Sequence, residues 1–175
     1  AGTDTVKFSA DATVTDAMFT KATNVEAITA AANKDLDITL GDLAAAAGIT
    51  TVTLTGAAGG DTDTVAIDAD GPSAVTVNFD DDTNVVNSVV ANASYAGVLT
   101  VKADGDEFDT KAHTVTGGKG TSDVLQITAD GNAIVTARMA NVTNVETVKI
   151  AGTTASQSIA LNDANATYTS STSYQ

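Results

Sequence analysis

Apolar and polar residues alternate in many short segments of this chain, and turn-forming residues separate the segments. Alternation of this kind is typical of strands that bury one face. Asp-Gly pairs, which favour turns, follow an Ala at residues 70–71, 104–105 and 130–131. The pattern predicts strands over residues 6–8, 25–29, 36–40, 51–55, 65–68, 74–79, 88–91, 98–103, 124–128, 134–137, 145–150 and 158–161.

Two short segments favour helix instead of strand. Residues 16–21 can form one or two helical turns, and residues 41–48 contain a run of four alanines between two glycines. A third helix at residues 80–82 is less favoured, because three consecutive aspartates stand there.

A Thr-Asn-Val tripeptide recurs with its Asn at Asn24, Asn84 and Asn144, 60 residues apart each time. A second motif, an Asp followed by an alternating strand segment, begins at Asp4, Asp63 and Asp123. These repeats predict units of about 60 residues, at 1–58, 59–118 and 119–175, the last one truncated. We expect the three Asn side chains to be structural anchors, because an amide can satisfy backbone groups in a turn.

The many short strands predict an all-β chain. A repeat-containing β-solenoid or β-roll-like architecture with short helical turns is the favoured form, because stacked units share one core. Threonine and valine suit such sheets, and an aromatic content of 4% leaves little bulky filling for a sandwich. Antiparallel β-sandwich modules are the alternative.

The chain is acidic, with 8 Lys and Arg against 22 Asp and Glu and a net charge of -14. Most of such a surface repels polyanions, so we predict neither nucleic-acid nor anionic-membrane binding. No apolar run approaches the ~18 residues of a transmembrane helix, so membrane insertion is not predicted. The absence of cysteine excludes disulfides and suits a secreted protein.

Clustered aspartates are the candidate metal ligands. Calcium binds six to eight hard oxygen atoms, which close-set carboxylates and turn carbonyl groups can supply. An equally open alternative is that the clusters are solvated acidic surface, because none completes the helix-loop-helix calcium pattern. The candidate calcium ligands are Asp61, Asp63, Asp80, Asp81, Asp82, Asp104 and Asp106.

No catalytic motif is present in the sequence. The single histidine, His113, has no Cys, Ser or second His at motif spacing, and no phosphate-binding loop, nucleophile elbow or zinc-protease motif occurs. We therefore predict that the chain is not an enzyme.

The segment at residues 117–127, Gly-Gly-Lys-Gly-Thr-Ser-Asp-Val-Leu-Gln-Ile, followed by Thr-Asn-Val-Glu-Thr-Val-Lys-Ile at 143–150, resembles bacterial surface-layer (S-layer) proteins related to the RTX exoproteins. The resemblance implies a secreted, calcium-dependent β-solenoid on the outer surface of bacteria. It departs from that family because the glycine-rich calcium nonapeptide is not repeated in tandem.

Together these observations predict a structural module of an extracellular, self-assembling bacterial cell-surface layer, ordered by calcium. Copies of the same protein are the expected partners, with a cell-surface polysaccharide as a further candidate. The alternative is an adhesin or stalk binding module of a large extracellular protein.

Overall fold

The computed structural model describes residues 2–55, 62–79, 85–128, 133–151 and 158–160. Its strands are short and follow one another closely along the chain. They are β1 Thr5–Phe8, β2 Ala12–Val14, β3 Ala27–Ala30, β4 Leu36–Leu40, β5 Thr51–Leu54, β6 Thr64–Ile67, β7 Ala74–Phe79, β8 Ser88–Ala91, β9 Val98–Asp104, β10 Thr114–Thr116, β11 Val124–Thr128, β12 Ala133–Ile134, β13 Val142–Thr143, β14 Thr147–Ala151 and β15 Ser158–Ile159. The helices are a 3-10 turn Asp16–Phe19, α1 Asp42–Ala47 and α2 Gly105–Thr110.

The strands form two large sheets, and the chain passes from one to the other and back. The seven-stranded sheet has the order β1-β3-β5-β7-β9-β11-β14, and the six-stranded sheet has the order β13-β10-β8-β6-β4-β2. Every strand pairing in the described residues is parallel, including β12 with β15. One pass of the chain through both sheets is termed a circuit. Ala27 of β3 pairs with Thr51 of β5, so this circuit takes 24 residues.

The prediction of an all-β chain is wrong in both of its forms, the β-solenoid or β-roll-like repeat and the antiparallel β-sandwich. The observed class is parallel α/β-like, with parallel sheets of seven and six strands and few helices. Alternating apolar residues identify a strand but indicate neither its direction nor its partner. Parallel neighbours need long connections, and these connections hold the short helices.

The 60-residue sequence repeat does not return the chain to the same sheet at each step. The segments that follow Asp4 and Asp123 form β1 and β11 of the seven-stranded sheet, whereas the segment after Asp63 forms β6 of the six-stranded sheet. A step of 60 residues therefore moves the chain to the opposite sheet. The division into units at 1–58, 59–118 and 119–175 stays a prediction.

The core lies between the sheets and consists mainly of aliphatic side chains at alternate positions of most strands, with a few aromatic side chains. In β5 and β6, for example, half-buried and buried residues alternate. Register aligns the inward residues of the seven-stranded sheet in a row, here termed the inner ladder: Val6, Ile28, Val52, Val77, Val101, Leu125 and Val148. Burial of the middle of this row, from Ile28 to Leu125, contributes to the hydrophobic stabilisation.

The two α-helices each have six residues and lie in connections between strands. Helix α1 ends at Gly48, whose φ of 101° lies in the left-handed region that glycine adopts without strain. No helix in the described residues has the length and apolar character needed to cross a membrane.

Substitutions at neighbouring residues of β11 test the inward and outward assignment. Leu125 is fully buried and Gln126 points outward. We expect Leu125→Ala to lower the free energy of unfolding by about 2–5 kcal/mol, because it leaves a cavity in the inner ladder. Gln126→Ala should change it by less than about 0.5 kcal/mol. Denaturant melts measure both values, and equal losses would contradict the register.

Candidate functional site

The predicted calcium ligands divide into three that the structure describes and four that it does not. Asp61, Asp80, Asp81 and Asp82 lie outside the described residues. Asp63 is buried before β6, and Asp104 and Asp106 lie at the start of α2. Within the described ranges, no three or more His, Cys, Asp or Glu side chains come together as a metal site.

Asp104 and Glu107 act as the N-terminal cap of α2. The Asp104 side chain accepts the backbone N–H of Glu107, and Glu107 Oε2 accepts the Asp104 N–H at 2.9 Å. This reciprocal capping box satisfies two amide groups that the first helical turn leaves without partners. Asp106 lies in the same turn, where a negative charge is favoured. The acidic segment thus has a local structural role.

Side-chain acceptors bind backbone N–H groups near the starts of strands and helix α1, in an adjacent circuit in every case except Gly118, which is five residues from its acceptor. We call these donors the corner amides. Each donor and its acceptor are Asp4 with Glu26, Leu36 with Asp63, Gly41 with Asp16, Asn87 with His113, Leu99 with Asp123, Gly118 with Asp123, and Asp123 with Glu146.

Asp63 and Asp123 perform the same task in different sheets. Asp63 Oδ1 accepts the N–H of Leu36 at 2.6 Å, and Asp123 Oδ1 accepts the N–H of Leu99 at 2.8 Å. Both carboxylates are fully buried. Asp123 also accepts the Gly118 N–H through Oδ2 at 2.9 Å. Each aspartate therefore joins its own strand to the preceding circuit.

Asp16 binds three amide groups at the start of α1. Its carboxylate accepts the N–H groups of Gly41, Leu43 and Ala44 at 2.7, 3.2 and 2.9 Å. Burial acts to raise the pKa of Asp16, but these three backbone hydrogen bonds, with a side-chain hydrogen bond between Asp16 and Asp42, outweigh it and hold the pKa below its usual value. Asp16 therefore stabilises α1 from the preceding circuit as a carboxylate.

The anchor asparagines that the structure describes share one backbone conformation. Asn24 and Asn144 have φ values of 56° and 57°, in the left-handed region that Asn tolerates better than most residues. Each lies three residues before a strand of the seven-stranded sheet. Asn144 Nδ2 donates to the carbonyl oxygens of Gly118 at 2.7 Å and Gly117 at 3.3 Å. Asn84 lies outside the described residues.

The glycine segment at residues 117–120 packs against backbone rather than enclosing a cavity. A Cβ on Gly117 would collide with the Asn144 carbonyl oxygen, and one on Gly118 would collide with the Tyr95 carbonyl oxygen. Lys119 and Gly120 donate their N–H groups to that same Tyr95 oxygen. Close approach of the backbone at both Tyr95 and Asn144 thus explains Gly117 and Gly118.

His113 lies in a buried cluster with Phe79 and Phe108. Its ring centroid is 5.2 Å from that of Phe79 and 5.0 Å from that of Phe108. Nδ1 accepts the Asn87 N–H at 3.0 Å, and Nε2 lies 3.0 Å from the Glu107 carbonyl oxygen, which can only accept. These partners specify a neutral imidazole protonated at Nε2. Full burial keeps the ring from any substrate in solution.

Comparisons with protein families, with characterised proteins and with solved structures found no match to this chain.

Four corner-amide acceptors were not predicted from the sequence: Asp16, Glu26, Asp123 and Glu146. One signal pointed to two of them: the residue after the Thr-Asn-Val anchor is Glu in the first and third copies, at Glu26 and Glu146. Their Oε2 atoms accept the N–H groups of Asp4 and Asp123, both at 2.8 Å. The second copy has the exposed Val86 at this position, so the motif does not recur there.

Tyr95 makes stability sensitive to alkaline pH. Burial raises the pKa of its hydroxyl from 10.0 to about 12, and the Asp123 charge adds to this effect. Because the folded pKa exceeds the unfolded one, this stabilisation is complete below pH 10.0 and is lost as the pH rises towards about 12. We expect denaturant melts to show a decline in that interval.

Tyr95→Phe is the variant that isolates this effect. The hydroxyl donates to the Pro72 carbonyl oxygen at 2.6 Å, so its removal should cost about 1–3 kcal/mol at neutral pH, because a buried acceptor is left unpaired. The variant should also lose stability less steeply above pH 10.0 than the unmodified chain. Parallel pH profiles for the two proteins would contradict the assignment.

Proposed function

We propose that this chain is a structural module of an extracellular, self-assembling layer at a bacterial surface, with copies of itself as partners and calcium as the ordering ion. The observation that carries the proposal is the uneven burial of the inner ladder. Ile28 and Val52 are 1% and 0% exposed, whereas the aligned Val6 in β1 is 41% exposed. The ladder is buried only where a further circuit covers it.

Strand β1 offers both apolar surface and unpaired backbone groups. It pairs with β3 on one side, and no described strand pairs with its other side. Thr5, Val6 and Lys7 are exposed. An exposed parallel edge is a template on which another chain can add a strand. A second copy that adds a circuit beside β1 would cover Val6, in the same way that β5 covers Ile28 of β3.

The described side chains also supply no catalytic arrangement. The buried titratable groups accept or donate hydrogen bonds within the fold: Asp63 and Asp123 bind corner amides, Glu107 caps α2, and His113 lies between aromatic rings. A catalytic site needs a positioned acid, base or nucleophile that substrate can reach. A structural role agrees better with these contacts than turnover does.

Two substitutions of matched chemistry test self-association. Val6→Lys puts a charge at the exposed edge of β1, whereas Val90→Lys puts the same charge on β8, where Val90 is 39% exposed and points outward. We expect the unmodified chain and Val90→Lys to assemble in calcium, and Val6→Lys to remain monomeric, because a charge at a sheet edge opposes strand addition.

Sedimentation velocity and light scattering measure the assembly, with calcium added and then chelated. An unmodified chain that stays monomeric at high concentration in saturating calcium would contradict the proposal. Equal assembly of both lysine variants would instead place the contact away from β1.

Calcium should stabilise the folded chain. A net charge of -14 makes the compact state repel itself, and an ion that binds only the folded form relieves this repulsion. At a hundredfold excess over Kd the gain is about 2.7 kcal/mol. This gain corresponds to a rise of about 5–10 °C in Tm for a chain of this size. Melts in millimolar calcium and in EGTA measure the difference.

Charge-neutralising variants separate a calcium site from general screening. Asp80→Asn, Asp81→Asn and Asp82→Asn combined should abolish the calcium-dependent rise in Tm. The combined control Asp68→Asn and Asp70→Asn, in an exposed turn, should retain it. An equal Tm with and without calcium, and no bound ion by calorimetry, would remove calcium from the account.

A further inference from the structure

The outer face of the seven-stranded sheet differs in charge from the rest of the chain. Two rows of outward side chains cross it on successive strands, and a further outward position holds Asp104 of β9, aligned with Thr128 of β11. The first row is Thr5, Ala27, Thr51, Thr76, Thr100, Val124 and Thr147, and the second, here termed the lysine row, is Lys7, Thr29, Thr53, Asn78, Lys102, Gln126 and Lys149. Neither row contains a carboxylate.

Three of the eight basic residues of an acidic chain lie in the lysine row. Lys7, Lys102 and Lys149 are all exposed. Among the described residues, the salt bridge that forms joins Lys34 to Asp11, and neither residue belongs to this face. The three ammonium groups of the lysine row therefore form no ion pair with a described carboxylate. The face therefore presents three lysines without an ion-pair partner beside rows of hydroxyl and amide groups, with one exposed carboxylate, Asp104, two residues from Lys102.

The spacing of the charges follows from the sheet. Lys102 and Lys149 are two strands apart and Lys7 is four strands from Lys102, which correspond to about 10 Å and about 19 Å at the usual strand separation. The positive charges thus fall at multiples of a two-strand step along one line. A linear ligand with negative charges at a similar interval would meet several lysines at once.

We propose that this face binds an anionic polysaccharide with widely spaced carboxylates. The disaccharide unit of an extended glycan is about as long as two strand spacings. Its hydroxyl groups can form hydrogen bonds with the threonine, asparagine and glutamine side chains beside the lysines. Duplex DNA carries about one charge per 1.7 Å, and so dense a polyanion is repelled by the net charge of -14. Charge complementarity therefore selects the sparsely charged ligand. The proposal does not depend on self-association.

Hyaluronan, with one carboxylate per disaccharide, is the probe, and neutral dextran is its control. The full chain should bind immobilised hyaluronan at low ionic strength and lose most of that binding in physiological salt, because exposed charges are screened. Dextran should bind at least tenfold more weakly. Binding of dextran equal to that of hyaluronan, or no hyaluronan binding at low salt, would overturn the proposal.

Two double variants with the same change in net charge locate the site. Lys102→Gln with Lys149→Gln removes two charges from the lysine row, and Lys21→Gln with Lys119→Gln removes two exposed charges elsewhere. We expect the first variant to bind hyaluronan at least tenfold more weakly than the unmodified chain and the second to bind within about twofold. Equal losses would show attraction by net charge alone and would overturn the assignment of the face.

Two further measurements identify the occupant of the face. Tighter binding of single-stranded DNA than of hyaluronan would overturn the choice of a polysaccharide. Sedimentation without glycan distinguishes this face from the β1 edge: the Lys102→Gln and Lys149→Gln variant should assemble as the unmodified chain does. Loss of its assembly would make a second copy, not a glycan, the occupant of this face.

Discussion

The fold depends on the satisfaction of backbone N–H groups where the chain turns into a strand. Within a sheet, carbonyl groups of the neighbouring strands accept these N–H groups. At a corner the chain leaves the sheet, and the amide has no backbone carbonyl group opposite it. An unpaired buried amide costs about 1–3 kcal/mol. Here a carboxylate or imidazole from an adjacent circuit accepts it, as Asp63 does for Leu36, His113 for Asn87 and Asp123 for Leu99. These contacts make each circuit depend on the next.

The same constraint decides where each type of side chain lies in the molecule. Aliphatic side chains fill the space between the sheets, acidic groups lie mainly at corners and helix starts, and threonine and lysine cover the outer face of the seven-stranded sheet. A buried carboxylate that accepts hydrogen bonds from backbone amides, such as Asp123, has a structural role. Within the described residues, the surfaces that we propose for partners are the β1 edge, where Val6 is exposed, and the rows of the outer face.

Local features were predictable from the sequence, and long-range ones were not. The alternating segments at 36–40 and 74–79 coincide with β4 and β7, and the alanine run forms α1. Parallel pairing was missed, because alternation does not indicate the partner of a strand. Helix α2 was missed because Asp104-Gly105 was interpreted as a turn, with Asp104 and Asp106 as candidate metal ligands, although Asp104 caps a helix. Asp123 was recognised only as part of a repeat, since the Leu99 amide that it binds lies 24 positions earlier.

Amide hydrogen exchange in an Asp123→Ala variant tests most directly whether side-chain acceptors hold the corners. Asp123 accepts the amides of Leu99 and Gly118, while the Val52 amide lies in β5, away from this corner. Any loss of global stability should speed exchange at all three sites. The account predicts a further acceleration of at least about tenfold at Leu99 and Gly118 relative to Val52, since local opening is then easier. Equal acceleration at all three amides, or none, would contradict it.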